Sequence, residues 1–352
     1  MTDDLKPDRK PVYERLASIV GNTPLIELNG PVINGCRFFA KLEYQNPTGS
    51  HYDREMLSFI CGLESARKIR VGDKLVETTT GNLGASLAWL CRALGYQPPT
   101  IVIPADMPRA RREQIQSFGG EIELSPAGRY ITGIREALGG ILRSVGEAAR
   151  SQPGGKVHLG KHWANTSYVV DAMKECGEEI IRDASSLGVR LDYFLVALGN
   201  GSTALGLSEA LWPVGISLIG VEPSESPNVA ETLAEEGRDT PMANRMRQSF
   251  SVRVPLDQRK HRVIGTGGFS SDDIFENMRR LMSSDRLYDI VHPTDAEIRD
   301  AQLLLMDVHG QHVGISSAAC MAAALKFVES EEIHNKNISL LFYDQSWKYL
   351  DW

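Results

Sequence analysis

The sequence predicts an α/β protein with two domains, each built on a mostly parallel sheet that carries helices on both faces. The length of 352 residues suits two domains at roughly 100–200 residues per domain. Short apolar segments alternate along the chain with segments whose apolar residues repeat at helical spacing. Apolar strands that alternate with helices are typical of parallel sheets buried on both faces.

The first series of elements precedes residue 150. Its clearest helix covers residues 82–95, where leucines at positions 83, 87, 90 and 94 form one apolar stripe. A helix over residues 108–118 ends at a Gly-Gly pair, which is a common stop signal. We predict strands over residues 37–43, 73–79, 99–104 and 121–124, and helices over residues 82–95, 108–118 and 131–149.

A second series follows the segment 151–155, Ser-Gln-Pro-Gly-Gly, which is the best candidate for an internal boundary. In sheets of this kind ligands bind at the carboxyl ends of the strands, in the loops that lead into helices. We predict strands over residues 156–159, 192–198, 216–222 and 338–343, and helices over residues 167–184, 202–211, 295–308 and 316–328.

Composition argues against several classes of function. Hydrophobic residues make up 42% of the chain and the net charge is -7, so non-specific binding to nucleic acid is not expected. The five cysteines are far apart and form no C-x-x-C pair, which predicts buried thiols and no disulfide framework or metal site. Neither a signal-peptide core nor a membrane-spanning stretch is visible. We therefore expect a cytoplasmic protein without a membrane partner.

The first loop of functional interest, residues 199–203, reads Gly-Asn-Gly-Ser-Thr between a predicted strand and a predicted helix. Glycines allow backbone N–H groups to face a ligand, and the helix start adds a partial positive charge. Hydroxyl donors complete a site suited to a phosphate. A plain strand-to-helix turn is one alternative. A dinucleotide fingerprint is another, with Glu222 ending the next strand, but Ala204 stands where its third glycine belongs.

The second loop, residues 77–84, reads Glu-Thr-Thr-Thr-Gly-Asn-Leu-Gly at a predicted helix start. Its hydroxyls, its amide and its N–H groups suit a carboxylate or a phenolate oxygen. Helix capping would explain only one or two of these residues. We therefore favour a binding function for this loop.

The third loop, residues 46–54, reads Asn-Pro-Thr-Gly-Ser-His-Tyr-Asp-Arg after a predicted strand and before a helix. Taken alone it is a turn in which Ser50 or Asp53 caps the helix. The adjacent His51 and Tyr52 are candidates for moving protons, although such a pair is more often structural.

Together these loops resemble the fold type II enzymes that use pyridoxal phosphate (PLP), in particular cysteine synthase and cystathionine β-synthase. Matching motifs occur in the family's order over nearly the whole chain, at residues 19–25, 40–43, 46–50, 79–82, 199–203, 220–223, 265–269 and 314–318. The resemblance implies a tryptophan synthase β-like fold and a homodimer. It implies a large cofactor-binding domain, residues 1–45 and 150–352, and a smaller substrate-side domain, residues 46–149.

The resemblance also implies which residues bind PLP. Asn82 would bond the ring oxygen, and Ser316 would face the pyridine nitrogen, where a neutral hydroxyl suits elimination and β-replacement. The cofactor phosphate would be held by Gly199, Asn200, Gly201, Ser202 and Thr203.

An amino-acid substrate is implied in the same way. Its carboxylate would be bound at the second loop, close to His162, and the loop that contains Gly267 would border it. The residues of the second loop that would bind the carboxylate are Thr79, Thr80, Gly81 and Leu83.

Tyr52 is the departure from the family pattern. The family reads Gly-Ser-x-Lys-Asp-Arg where residues 49–54 read Gly-Ser-His-Tyr-Asp-Arg, and both flanks match without a gap. A phenol cannot form the Schiff base that a lysine amine forms with PLP. Lys41 and Lys161 are the only other amines that we expect near the site, and neither is a good substitute. Residues 344–349, Asp-Gln-Ser-Trp-Lys-Tyr, also depart from the family's Ser-Gly-Glu-Arg-Tyr.

Four interpretations of Tyr52 are open. The chain is an enzyme that binds PLP non-covalently, or a pseudoenzyme that binds a ligand without turnover, or it carries an introduced tyrosine, or it uses the site without PLP. We expect the first, with Ser50, His51 and Tyr52 as catalytic side chains. The expected reaction is elimination or replacement at the β-carbon of a serine- or cysteine-type amino acid. An NAD-binding oxidoreductase is the minor alternative.

Overall fold

Two sheets organise the structure, a computed structural model that describes residues 5–29, 33–127, 156–159, 166–235, 241–249, 262–266 and 276–350. The chain divides into two compact units. Unit 1 comprises Met1–Gly21, Gln45–Val169 and Trp347–Trp352, and unit 2 comprises Asn22–Tyr44 and Val170–Ser346. Each unit contains one of the two sheets.

Strands and helices alternate along the described chain. The strands are β1 Leu25–Glu27, β2 Arg37–Lys41, β3 Lys74–Thr78, β4 Thr100–Pro104, β5 Glu121–Ser125, β6 Val157–Leu159, β7 Tyr193–Ala197, β8 Ser217–Val221, β9 Leu287–Val291 and β10 Asn337–Leu341. The helices are α1 Lys10–Ala17, α2 Tyr52–Ser65, α3 Asn82–Leu94, α4 Arg109–Ser117, α5 Thr166–Ser186, α6 Ser202–Leu211, α7 Asn228–Glu235, α8 Pro241–Ser249, α9 Glu276–Met282, α10 Asp295–His309 and α11 Ile315–Ser330.

The predicted fold class is confirmed. In the described part of unit 1 the strand order is β5-β4-β3-β6, and all pairs are parallel. In the described part of unit 2 the order is β1-β2-β10-β7-β8-β9, and only the β1–β2 pair is antiparallel. Parallel strands need crossover helices, which cover the sheets and explain why inner strands such as β4, β7 and β8 are mostly apolar and buried.

The predicted elements that fall on described residues agree with the structure to within a residue or two. No element was predicted at α1, β1, α7, α8, α9 or β9. Most of these are short, and α8 has few apolar residues, so their periodicity is weak. The predicted helix over residues 131–149 lies outside the described residues.

The two units differ from the predicted domains at three places. Residues 5–21 and 347–350 belong to unit 1 instead of the larger domain. Strand β6 also belongs to unit 1, because it pairs with β3 at the edge of the unit 1 sheet. Sequence composition favoured a boundary before β6, but hydrogen bonding to β3 places that strand with the first sheet.

Buried apolar side chains from α1, α2, α3, β3 and β4 form the core of unit 1. All five cysteines are buried and carry free thiols. Along the described ranges, no helix combines the length and the apolarity that crossing a membrane requires.

Glu64 connects α1 to α2 and to the end of α3. Its carboxylate accepts hydrogen bonds from Arg9 Nε at 2.6 Å, from the Tyr13 hydroxyl at 2.9 Å and from the Tyr96 hydroxyl at 2.7 Å. Burial raises the pKa of Glu64, but the hydrogen bonds from Arg9, Tyr96 and Tyr13 outweigh it and leave the pKa below its usual value. The carboxylate is therefore the charged centre on which three separate side chains converge.

We expect Glu64→Gln to lower the free energy of unfolding by about 3 kcal/mol at neutral pH, because Arg9 would keep a largely buried charge without its partner. A carboxyl group whose pKa is lower in the folded state than in the unfolded state stabilises the folded protein. This stabilisation is fully present above the unfolded-state pKa of about 4.3, and it is lost as the pH falls through the folded-state pKa. Urea unfolding at neutral pH and at about pH 3 measures both effects.

Glu113→Gln is the matched control, because Glu113 pairs with Arg109 on an exposed face of α4. Its effect at neutral pH should stay below about 0.5 kcal/mol. If the two variants lost equal free energy of unfolding, the buried carboxylate of Glu64 would stabilise the fold no more than an exposed one.

Candidate functional site

The loop between β3 and α3 makes a tight turn immediately before the predicted helix start at Asn82. Gly81 has a φ of 141° and its N–H donates to Thr79 Oγ1 at 3.0 Å. The carbonyl of Thr80 accepts from Arg111 Nη1 at 3.0 Å. Glycine suits position 81 because of this positive φ, and a Cβ there would also lie 2.5 Å from Arg111 Cδ. Arg111 fixes this loop from α4 and gives no sequence signal of that role.

Asn82 and Leu83 open α3 and serve different purposes. Leu83 is 1% exposed and its side chain belongs to the core of unit 1, so only its backbone can face a substrate. Asn82 is also buried, and its Oδ1 accepts a hydrogen bond from Lys348 Nζ at 3.0 Å. The predicted site residues of this loop therefore contribute a backbone turn and one amide.

Asp53 ties the third loop to α3. Its carboxylate accepts from Thr48 N at 2.7 Å, from Thr48 Oγ1 at 2.6 Å and from Ser86 Oγ at 2.5 Å. Burial leaves the pKa of Asp53 above its usual value, although the hydrogen bonds from Ser86 and Thr48 and the charge of Lys348 oppose that shift. The expectation that Ser50 or Asp53 caps α2 was wrong. The N-cap is His51, no side chain caps the helix, and Asp53 bonds to Thr48 and Ser86.

The predicted catalytic side chains lie at the start of α2. The rings of His51 and Tyr52 are 4.2 Å apart between centroids and tilted by 40°. His51 Nε2 lies 3.9 Å from Glu55 Oε1, one helical turn later. Tyr52 is half-buried and packs against the core of unit 1. The Oγ of Ser50 is buried and has no hydrogen-bond partner among the described residues.

Lys348 is the residue at this site that the sequence analysis missed. It lies in a 3₁₀ turn over Ser346–Tyr349 and is fully buried. Its Nζ donates to the carbonyls of Thr48 and Gly49, each at 3.1 Å, and to Asn82 Oδ1. One ammonium therefore bonds both the second and the third loop.

The expectation that Lys41 and Lys161 are the only other amines near the site was wrong, because Lys348 contacts Asn82 directly. Lys41 lies in unit 2, where its Nζ is 3.0 Å from Glu179 and 3.0 Å from Asp183. Those two carboxylates neutralise it, as expected for a structural charge. Lys161 lies outside the described residues, as do His162 and Gly267.

In unit 2, the glycine loop leads from β7 into α6. Gly201 has a φ of 90° and immediately precedes the helix. The N–H of Ser202 donates to Asn200 Oδ1 at 2.8 Å, and Ser202 Oγ accepts from Asn277 Nδ2 at 2.9 Å. Ser202 is thus fixed from within its loop and from α9, and Asn277 gives no sequence signal of this role.

Both glycines of this loop also touch neighbouring backbone. A Cβ at Gly199 would lie 2.5 Å from the carbonyl oxygen of Gly265, and one at Gly201 would lie 2.5 Å from Met278 N. The spacing of these two glycines therefore reflects close packing of the backbone as well as any contact with a ligand. It also brings Gly265, which begins another of the predicted motifs, against the loop.

Ser316 lies at the same edge of the unit 2 sheet. It is half-buried in the first turn of α11. The neighbouring Ser317 Oγ accepts from Tyr343 N at 2.9 Å, and the Tyr343 hydroxyl accepts from Ala197 N at 2.7 Å. These bonds join the start of α11 to the ends of β10 and β7, and β7 leads directly into the glycine loop.

Glu222 has a structural role in unit 2. Its two carboxylate oxygens accept the N–H groups of Val229 at 2.8 Å and Ala230 at 3.1 Å, at the start of α7. The acidic residue of a dinucleotide fingerprint would instead bond a ribose hydroxyl. This geometry counts against the NAD alternative.

The sequence profile of the pyridoxal-phosphate dependent enzymes matches residues 16–344. The chain belongs to this family. Among its relatives, cysteine synthase A of Escherichia coli K12 is 29% identical over 344 residues, which is 96% of this chain and 94% of the relative. A cysteine synthase of Staphylococcus aureus strain Mu50 is 32% identical over 223 residues, which is 62% of this chain and 67% of the relative.

Solved structures show the same fold. A hydrogen sulfide-producing enzyme from Fusobacterium nucleatum is 26% identical, with a TM-score of 0.74 over 95% of this chain and 99% of that chain. Cysteine synthase from Entamoeba histolytica is 24% identical, with a TM-score of 0.75 over 99% of this chain and 92% of that chain.

We expect Gly201→Ala to lower the free energy of unfolding by at least about 3 kcal/mol, because a left-handed φ and an overlap with the backbone of Met278 add together. Gly188→Ala is the matched control. Gly188 has a φ of 69°, and nothing lies within 4 Å of its Cβ position. That variant should lose only about 1–2 kcal/mol from the backbone conformation alone. Urea unfolding compares the two, and equal losses would show that the contact with Met278 does not constrain position 201.

Proposed function

We propose that the chain is a PLP-binding enzyme of the cysteine synthase type that acts on the β-carbon of a serine- or cysteine-type amino acid by elimination or replacement. The observation that carries the proposal is the meeting of the second and third loops in unit 1. Lys348 and Asp53 join these loops at the start of α3. The glycine loop and Ser316, at one edge of the unit 2 sheet, support the proposal.

The described residues fit the non-covalent contacts of PLP. Gly201 makes the turn that precedes the regular helix α6. The N-terminus of a helix suits a phosphate. The N–H of Ser202 is bonded to Asn200, so the proposed phosphate contacts come from the other donors of the loop. Asn82 offers a side-chain amide for the ring oxygen, and the buried hydroxyl of Ser50 is a further polar group suited to a ligand. Ser316 would face the ring nitrogen.

The protein's share of the chemistry is binding, orientation and proton transfer. The chemistry that PLP would supply when bound is an electron sink for the α-carbon of an amino acid. Thr79, Thr80 and Gly81 would bind the substrate carboxylate at the start of α3, where N–H groups favour an anion. His51 and Tyr52 would move the protons, since their rings are in contact at the start of α2.

Relatives support the type of substrate. Two are cysteine synthases, one solved structure is a hydrogen sulfide-producing enzyme, and the family profile spans residues 16–344. Serine- and cysteine-type amino acids carry a leaving group on the β-carbon, which suits this chemistry. Homodimerisation and a cytoplasmic location are part of the same proposal.

Position 52 sets the mode of cofactor binding. We propose that Tyr52 occupies the place of the lysine that links PLP in the family, and that the cofactor is held non-covalently. A phenol has no amine that can condense with an aldehyde. The same observation favours a second candidate, a pseudoenzyme that binds PLP and an amino acid without turnover.

We expect the wild-type protein to bind PLP, seen by absorption titration, and to release it on gel filtration after borohydride treatment. Tyr52→Lys should retain the cofactor after the same treatment, because its amine forms a C=N bond with the aldehyde that borohydride reduces. Peptide mass mapping locates the retained group, and Tyr52→Phe is the control without an amine. Retention at one defined lysine of the wild-type chain would rule out non-covalent binding.

We expect the PLP-loaded protein to release acetate, phosphate or sulfide from at least one of O-acetylserine, O-phosphoserine and cysteine. Tyr52→Phe should lower kcat by about a hundredfold or more if the phenol moves a proton. Glu113→Gln, on the exposed face of α4, is the unaffected control. Release no faster than that with free PLP would favour the pseudoenzyme.

A further inference from the structure

We propose that Lys348 is a positioning residue of this site: its ammonium fixes the amide of Asn82 so that Asn82 presents an N–H donor to the ligand. The proposal rests on the proposed function in one respect, namely that the ligand oxygen belongs to PLP. The contact itself lies entirely within unit 1 and is described by three hydrogen bonds of Lys348.

The chemistry of the ammonium determines how the amide of Asn82 is turned. A lysine ammonium has three donors and no acceptor, so the Asn82 atom 3.0 Å from Nζ must be the amide oxygen. The amide nitrogen, Nδ2, is the other branch of the same planar group and faces away from the ammonium. The amide of Asn82 therefore turns its donor group, and not its acceptor, away from the ammonium.

The other two hydrogen bonds hold the ammonium in place. They go to the carbonyls of Thr48 and Gly49, and the Thr48 carbonyl also accepts from Gln114 Nε2 at 2.8 Å. Together with Asn82 these acceptors use all three donors of the ammonium. Rotation of the Asn82 amide would place an NH₂ group against a buried cation, which is strongly unfavourable.

Burial is consistent with an action of Lys348 through Asn82. The lysine is 0% exposed and Asn82 is 8% exposed, so of these two side chains the amide is the more accessible to a ligand. The positive charge behind the amide and the start of α3 both favour a ligand oxygen that carries negative charge. An aromatic phenolate, such as the ring oxygen of PLP, is the chemical class that fits.

Lys41 shows what a purely structural buried lysine looks like in this chain. Its ammonium lies between two carboxylates, Glu179 and Asp183, and bonds the carbonyl of Thr23. The ammonium of Lys348 instead bonds two carbonyls and the side-chain amide at the first position of α3. The hydrogen bond to Asn82 links the ammonium of Lys348 to the proposed ligand site.

The test uses the single variants Lys348→Met, Lys348→Arg, Asn82→Asp and Asn82→Ala, together with the double variant that combines K348M with N82A. Leu350→Ala is the matched control, since Leu350 lies in the same segment and is 82% exposed. The dissociation constant of PLP is measured by absorption titration. Urea unfolding is measured for every variant without the cofactor.

We expect K348M to weaken PLP binding by about tenfold, K348R to restore most of it, and L350A to leave it unchanged. N82D should keep or raise stability, because a carboxylate pairs with the ammonium, yet weaken PLP binding by about tenfold or more because no donor remains. In the N82A background, K348M should have no further effect on PLP binding. A purely structural lysine would weaken binding equally in both backgrounds.

Urea unfolding without the cofactor distinguishes a failure of this inference from a failure of the proposed function. The two positions should be coupled by about fivefold or more in the unfolding equilibrium constant. Coupling in a protein that does not bind PLP would support the positioning of Asn82 and refute the proposed cofactor. An absence of coupling, or borohydride labelling of Lys348 by PLP, would overturn the inference whatever the wild-type affinity.

Discussion

The ammonium of Lys348 is the constraint on which the geometry of the unit 1 site depends. It bonds the third loop through two carbonyls and the second loop through Asn82. Asp53 makes a parallel connection, because its carboxylate bonds Thr48 and Ser86. A buried cation and a buried carboxylate thus join the third loop to the second loop and to the first turns of α3. Each charge stabilises this arrangement because its hydrogen-bonding capacity is met by named partners.

The glycine loop of unit 2 is also held in place, but it contains no charged residue of its own. The glycine loop is shaped by close backbone packing against Gly265 and Met278, and Ser202 is bonded by Asn200 and Asn277. Ser316 is placed by the bonds that join α11 to β7 and β10. Backbone packing and neutral hydrogen bonds therefore determine this edge, whereas charge determines the loops of unit 1.

Most of the fold could be predicted from sequence because buried parallel strands and amphipathic helices leave periodic apolar patterns. Site geometry could be predicted only where it is local. The turn at Gly81 and the helix start after Gly201 follow from residues a few positions apart. Asp53 was expected to cap α2 because a cap is its commonest local use, but tertiary contact with Ser86 prevails. Lys348 could not be found, since its partners are defined by the fold and not by neighbouring residues.

The contact between Lys348 and the Thr48 carbonyl spans 300 positions of the chain. Contacts of such long range form late, because the intervening chain must first be ordered. During synthesis the sheet of unit 1 has all its described strands by residue 159, well before residue 348 leaves the ribosome. The second and third loops therefore exist for most of translation without the ammonium that joins them. The connection between these two loops is accordingly expected to be completed as one of the last events of folding, after the sheets are formed.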